Sequence, residues 1–202
     1  MTMKISFKAP CALLIVTAFI SASGCQSISE TSSKFSDKAL SMIGLGDKEK
    51  APEIDQKGVV DISKTTLEQI EKLTTNMPTG QWVYIENDLQ GIYNLQNKAQ
   101  DGHMLFMRLN CKTTTQKSSF SIQNKDGQDI LKSSDPQAGA IQVLLDNKNY
   151  SNPFDTVNLK KLETFKAALK KAKVVKVFNA SKLYTFENGK AELLDKPVSC
   201  YL

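Results

Sequence analysis

The stretch Met104-Leu105-Phe106-Met107-Arg108-Leu109-Asn110-Cys111, residues 104–111, decides the fold. Leu105, Met107, Leu109 and Cys111 take every second position, and Arg108 and Asn110 fall between them. Side chains of a strand point alternately to opposite faces, so this pattern describes a strand with one buried side and an inward-facing cysteine at its end. Upstream, Trp82, Tyr84 and Glu86 alternate with Val83 and Ile85, and a turn over 87–91 leads to Ile92, Tyr93 and Leu95. Downstream, Phe120 and Ile122 run to Asp126-Gly127, a two-residue hairpin signal, after which Ile130 and Leu131 return, and Ile141, Val143 and Leu145 make a further strand. Residues 146–155, rich in asparagine and carrying Pro153, read as a loop.

Two segments have a helical period instead. Leu67, Ile70 and Leu73 or Thr74 share a face before Pro78 stops the chain. Leu159, Leu162, Phe165 or Lys166, Leu169 and Ala172 do the same over 158–172, with Lys160, Lys161, Lys166, Lys170, Lys171 and Lys173 on the rest of the helix. A solvated basic face explains those lysines, and contact with anionic lipid or glycan phosphate is the alternative. Residues 174–178 then read as a strand, and 183–186 is expected to pair with 191–194 in a hairpin across Asn188-Gly189. The fold class is α+β: antiparallel sheet built from hairpins, one N-terminal helix, and one long helix before the last three strands. A doubly wound sheet would alternate strand and helix throughout.

The N-terminus carries a different signal. Lys4 and Lys8 precede an apolar run over 9–20 and small residues over 21–24, the layout of an export signal. The run is shorter than the roughly 20 apolar residues of a stable span. Ala22-Ser23-Gly24-Cys25 resembles the lipobox of bacterial lipoproteins, in which the cysteine thiol is acylated and becomes the new N-terminus; Ala22 stands where leucine is usual. Ordinary cleavage to a soluble exported protein is the alternative. Gln26, where aspartate would favour inner-membrane retention, points to the periplasmic face of the outer membrane. The expected organisation is a signal peptide over 1–24, a lipidated flexible tether over 25–63, and a globular domain over 64–202. The tether composition is too polar to fold alone, and flexible it would span about 30–40 Å on average. Within it Phe35, Met42 and Ile43 share helical spacing, either as transient helix or as a partner-docking segment.

With Cys11 leaving in the signal and Cys25 lipidated, Cys111 and Cys200 remain in an oxidising compartment. A disulfide is the expectation, with two separately buried thiols as the alternative. Two cysteines and the single histidine, His103, fall short of a four-ligand metal shell. No metal and no cofactor are expected.

The formal charge of +5 falls to about +3 once Lys4 and Lys8 are removed, and Arg108 is the only arginine. Nucleic-acid recognition favours arginine forks and basic stripes, so it is not expected. His103 follows an Asp-Gly turn with no neighbouring nucleophile and reads as a surface residue; hydrolase and nucleotide-binding signatures are missing. Asp126 and Asp129 flank a hairpin turn and look structural. Asp146, Asn147 and Asn149 supply too few carboxylates for calcium. Trp82 and Tyr84 read as buried core, with an aromatic binding groove as the alternative.

The order of landmarks resembles the periplasmic accessory proteins of type VI secretion, the TagO/VasI-like group. The residues that carry it are Gln81-Trp82-Val83, Asp88, the 104–111 strand ending in Cys111, Leu145-Asp146, the amphipathic helix, Phe186, Gly189 and Cys200. Asn152-Pro153-Phe154 and Tyr201 stand where that group has tryptophans. The resemblance implies a disulfide between Cys111 and Cys200 and an accessory role in secretion. The expected function is therefore that of a non-enzymatic envelope lipoprotein whose tethered domain binds a protein partner, in that apparatus or elsewhere in the envelope. The alternatives are a glycan-binding or glycan-cleaving protein and an inhibitor of an envelope enzyme. Replacing the lipid acceptor, Cys25→Ser, should move the protein from the membrane to the soluble fraction, and intact-mass measurement of the mature wild type should find acyl mass on Cys25.

Overall fold

The computed structural model describes residues 50–155, 159–180 and 182–200; Cys25, Phe35, Met42 and Ile43 lie outside them. Six strands form the larger sheet in chain order: β1 (Val59–Asp61), β2 (Trp82–Asn87), β3 (Ile92–Lys98), β4 (Met104–Arg108), β5 (Ser119–Gln123) and β6 (Asp129–Lys132). β1 runs parallel to β2 and the other neighbours are antiparallel. The smaller sheet contains β7 (Gln142–Leu145), β8 (Lys148–Asn149), β9 (Val174–Phe178) and β10 (Leu183–Glu187), in the antiparallel order β10-β9-β7-β8. Helix α1 (Leu67–Asn76) precedes β2, helix α2 (Leu159–Leu169) precedes β9, and a 3₁₀ turn covers Ala191–Asp195. The class is α+β.

The alternation of 104–111 places Leu105, Met107 and Leu109 in one core with Val143, Leu145, Val175, Val177, Tyr184 and Phe186 of the smaller sheet. Phe165 and Leu169 of α2 enter the same core, both fully buried. On the opposite face of the larger sheet, Val83, Ile85 and Met104 pack with Leu73 and Met77. β2 is thus buried on both sides, with Trp82 and Tyr84 inward and Val83 and Ile85 under α1.

Helix α1 begins with a capping box, in which Thr66 Oγ1 accepts from the Gln69 N–H and Gln69 Oε1 accepts from the Thr66 N–H. Leu73 is its buried residue, with Ile70 half-buried one turn before it and Met77 buried at the C-cap. Leu67, expected on that face, is 73% exposed, because at about 100° per residue it stands about 120° from Leu73 around the axis. β1 also departs from expectation. Composition assigns 25–63 to a tether, yet Val59–Asp61 is a strand and Val60 is buried beside α1. An average over a long polar segment hides three residues that complete a parallel strand-helix-strand unit.

The expected hairpin across Asn188-Gly189 does not form. β10 pairs only with β9, and 191–194 lies in the 3₁₀ turn. Leu193 and Leu194 are adjacent and both buried, held inward together by the tight turn. Lys190, at φ 56°, turns the chain out of the strand direction. Within 146–155, Asp146 and Asn147 at φ 46° and 71° make a left-handed two-residue turn that adds the short β8.

Asn188 is instead a junction. Its Oδ1 accepts from Trp82 Nε1 at 2.6 Å, and its Nδ2 donates to the Leu169 and Ala172 carbonyls at 2.7 and 2.8 Å. Gly189 beside it accepts from the Trp82 N–H and donates to the Gly80 carbonyl. A side chain at Gly189 would stand 2.8 Å from that carbonyl oxygen, so the approach requires glycine.

The chain end forms a strap. β3 pairs with β4 only over Gln96–Lys98 and Met104–Phe106. Where the two diverge, Val198 exchanges bonds with Asn110 and Lys112 on one side, and Ser199 donates to the Tyr93 carbonyl on the other. The Ser199 hydroxyl accepts from the Tyr93 N–H, and Tyr84 donates its hydroxyl to the Pro197 carbonyl. Burial, reinforced by Glu86, Tyr93 and Asp88, pushes that phenol up to about 12. The Cys111–Cys200 disulfide, Cα to Cα 5.4 Å, pins the strap in place.

Closing a loop across 89 positions of sequence stabilises the fold by about 4–5 kcal/mol on the chain-entropy estimate, and measured values run nearer 2–4. The double variant Cys111→Ala, Cys200→Ala should lose about 2–4 kcal/mol in chemical denaturation. Amide exchange should accelerate first at Val198, Ser199 and Tyr93.

Candidate functional site

Trp82 and Tyr84 are core residues with their polar atoms engaged, so the aromatic groove read as an alternative is not there. Asp129 is bonded to Lys132 and Gln123 beside the β5–β6 turn. Asp146 accepts from the Lys173 and Val174 N–H groups and anchors the start of β9. On α2 Lys166 pairs with Glu163, and just past its end Lys170 pairs with Asp195, so the basic face is partly neutralised. Among the described residues, no cluster of three or more histidine, cysteine or carboxylate side chains is arranged to hold a metal.

His103 is more enclosed than a surface turn residue, its side chain only 14% exposed. Nδ1 lies 2.8 Å from Asp101 Oδ1, off the line of the ring N–H, and Nε2 lies 3.2 Å from Lys182 Nζ. An ammonium can only donate, so Nε2 of the neutral ring accepts and Nδ1 carries the hydrogen. The ring edge meets Tyr184 at 5.3 Å. Asp101 and His103 belong to the β3–β4 turn and Tyr184 to β10, so the cluster latches one sheet to the other. Burial raises the Asp101 carboxyl, but the His103 ring and N–H, with the charge of Lys182, outweigh it and hold it below the ordinary range.

Beside α1 the outer face of the larger sheet carries a groove. That helix packs over β1 and β2, and on the same face of β3 to β5 Gln96, Met104, Ser119 and Ser121 are buried, with Phe106 and Arg108 half-buried between them. There Thr74, Thr75, Gln96, Lys98, Gly102, Met104, Phe106, Gln123, Asn124, Lys125 and Gly127 line a groove of about 560 Å³. The pairing register puts Gln96, Phe106 and Ser121 side by side across three strands, and Met104 opposite Gln123. The floor is therefore apolar and the walls are amides, hydroxyls and ammoniums.

Arg108 follows Phe106 on the same face. Its Nη1 donates to Ser121 Oγ at 3.2 Å, and its Cζ lies 6.0 Å from the Phe106 ring centre. Burial lowers its pKa, with Asp129 opposing. Sequence reading put Arg108 on the face away from the core; what it missed is the groove, because nothing in the helix pattern says how much of a neighbouring sheet α1 will cover.

These features define a two-sheet α+β domain closed by a C-terminal disulfide strap, with a groove on the outer face of its larger sheet. The chain belongs to the YfjT family, whose profile matches residues 80–193. No curated protein and no solved structure is significantly similar to it.

Because the native Asp101 carboxyl is depressed, the stability it contributes is present in full above the unfolded carboxylate range near pH 4 and is lost as pH falls through the lower native value. His103→Ala should raise the Asp101 titration midpoint toward the ordinary range, read by carboxyl-carbon NMR, with little change in the fold.

Proposed function

We propose that the protein is an outer-membrane lipoprotein, acylated at Cys25 and facing the periplasm, whose domain binds a protein partner without catalysis. The observation that supports this is the groove over β3 to β5. Met104 and Phe106 supply an apolar floor, and Gln96, Gln123, Asn124, Lys98 and Lys125 supply polar walls, the mixed lining that suits a peptide chain. The rigid elements beneath it, strands fixed from behind by a packed core, hold these groups in place before a partner arrives, which lowers the cost of binding.

The export signal, the lipobox-like Cys25 and the layout shared with TagO/VasI-like proteins favour a partner in the cell envelope, and a type VI secretion complex is the specific candidate. A tethered domain suits that setting, because its anchor fixes it to one membrane while the tether sets its reach.

A photocrosslinking residue at Gln123, on the groove wall, should capture a discrete envelope protein in cells. The same residue at Phe178, an exposed position on the smaller sheet, should not. Capture from Phe178 alone would move the interface off the groove, and adducts with glycan strands at Gln123 would replace the protein partner by a glycan.

A further inference from the structure

Arg108 has an electrostatic position that the fold does not complete. Its guanidinium carries five N–H donors, and Ser121 Oγ is the hydrogen-bond acceptor that the structure provides among the described residues. No carboxylate among those residues comes within ion-pair distance of it. Asp129, whose charge does act on it, has Oδ2 at 3.0 Å from Lys132 Nζ and Oδ1 at 3.0 Å from Gln123 Nε2. A half-buried guanidinium with one protein acceptor leaves its other donors to solvent or to a ligand.

A second group points to the same place. Ser119 lies directly across the β4–β5 ladder from Arg108, on the same face, and is only 5% exposed. Its Oγ has no hydrogen-bond partner among the described residues. A buried hydroxyl left unmatched costs about 1–3 kcal/mol, and here it stands beside an arginine with one protein acceptor for its donors. Both groups would be matched by one ligand: an oxyanion that takes two parallel bonds from the guanidinium and one from the serine hydroxyl.

We infer that Arg108, Ser119 and Ser121 form a binding site for a carboxylate carried on an acidic peptide segment of the partner. The inference rests on the peptide-binding reading of the adjoining groove and adds the chemistry that the partner must bring. A planar carboxylate matches the guanidinium fork bidentately. A single arginine balances a single negative charge, and the nearby Asp129 opposes a doubly charged phosphate. Met104, Phe106 and Arg108 follow one another on the same face at the two-residue spacing of a strand, about 6.6–6.8 Å. A chain laid along β4 would then place an apolar or small residue over Phe106 and an acidic one, the next on the same side, at Arg108. Lys98 and Lys125 on the groove walls reinforce the preference for negative charge.

The test uses the full-length isotope-labelled protein and two blocked pentapeptides, acetyl-Ala-Glu-Ala-Glu-Ala-amide and its glutamine counterpart. The glutamate peptide should produce saturable NMR shifts at Arg108 Nε and at the Ser119 amide, and should bind at least tenfold more tightly than the glutamine peptide. Arg108→Lys, which keeps the charge and loses the fork, should weaken it at least tenfold. Ser119→Ala should weaken it several-fold while leaving thermal stability unchanged or raised, a combination that a purely structural serine would not give. Equal binding of the two peptides, with shifts at Gln96 and Gln123 and no dependence on Arg108, would overturn the carboxylate site and leave the groove reading standing. Shifts confined to Arg108 and Ser119 would support the carboxylate site and remove the groove reading. Absence of saturable shifts with the glutamate peptide would overturn the inference.

Discussion

Asn188 joins three elements that would otherwise only touch. Its amide NH2 takes up two carbonyls at and just beyond the end of α2, its amide oxygen holds the Trp82 indole, and its own N–H bonds the Lys173 carbonyl. Helix ends leave carbonyls unsatisfied, and a buried indole N–H needs an acceptor. One side chain meets both needs at the point where the two sheets meet. Asn97 braces the same seam from the larger sheet, donating to the Glu187 carbonyl at 2.7 Å. The smaller sheet and α2 are therefore positioned by directional bonds as well as by the apolar core, and the sheet face opposite is free to carry out something else.

The strap imposes a different constraint. An isolated divergence between β3 and β4 would leave backbone N–H and C=O groups open in the middle of a sheet, and unpaired buried backbone groups are rarely tolerated. Val198 and Ser199 fill that gap, and the disulfide removes the option of leaving it. On the surface above, Lys112 sits 3.3 Å from the Tyr93 ring centre and Lys196 4.5 Å from that of Tyr84. These cation–π contacts cover the two tyrosines whose backbone and hydroxyl hold the strap.

The parts of the fold legible in sequence were those in which a local pattern and the tertiary environment agree. The 104–111 alternation and the face carrying Phe165 and Leu169 need no knowledge of distant residues, and each stands in the structure; a hairpin also turns at Asp126-Gly127, but Asn124 and Gln128 close it as a three-residue loop and not the expected two-residue one. The α+β class and the Cys111–Cys200 disulfide follow with them. Misreadings arose where a distant partner decides. Asn-Gly at 188–189 is a strong local turn signal, but Asn188 is taken by Trp82 and α2, and Gly189 by Gly80. Val59–Asp61 becomes a strand only because β2 and α1 are there to receive it. His103 was visible as a turn residue, while the Lys182 and Tyr184 that enclose it are about 80 positions away. The groove was least legible, since its lining is drawn from α1, three strands and two turns that are far apart in sequence.

β4 links that surface to the disulfide. One of its faces carries Leu105, Met107 and Leu109 into the core, and the other carries Met104, Phe106 and Arg108 along the groove. Because strand side chains alternate, a slip of one residue in register would turn Phe106 and Arg108 inward and Leu105 and Met107 out. Three features forbid that slip: the buried alternation itself, the pairing of Leu105 with Ile122 and of Met107 with Phe120, and Cys111 bonded to the strap just beyond the strand. A charged guanidinium would be far more costly in the core than at the half-buried position that it holds, so Arg108 adds to the same discrimination. The residues that stabilise β4 are thus also the ones that fix where Arg108 and Phe106 stand. A partner that reads this face reads a surface whose register is set from behind, which is why the cysteine that ends the 104–111 stretch bears on recognition as well as on stability.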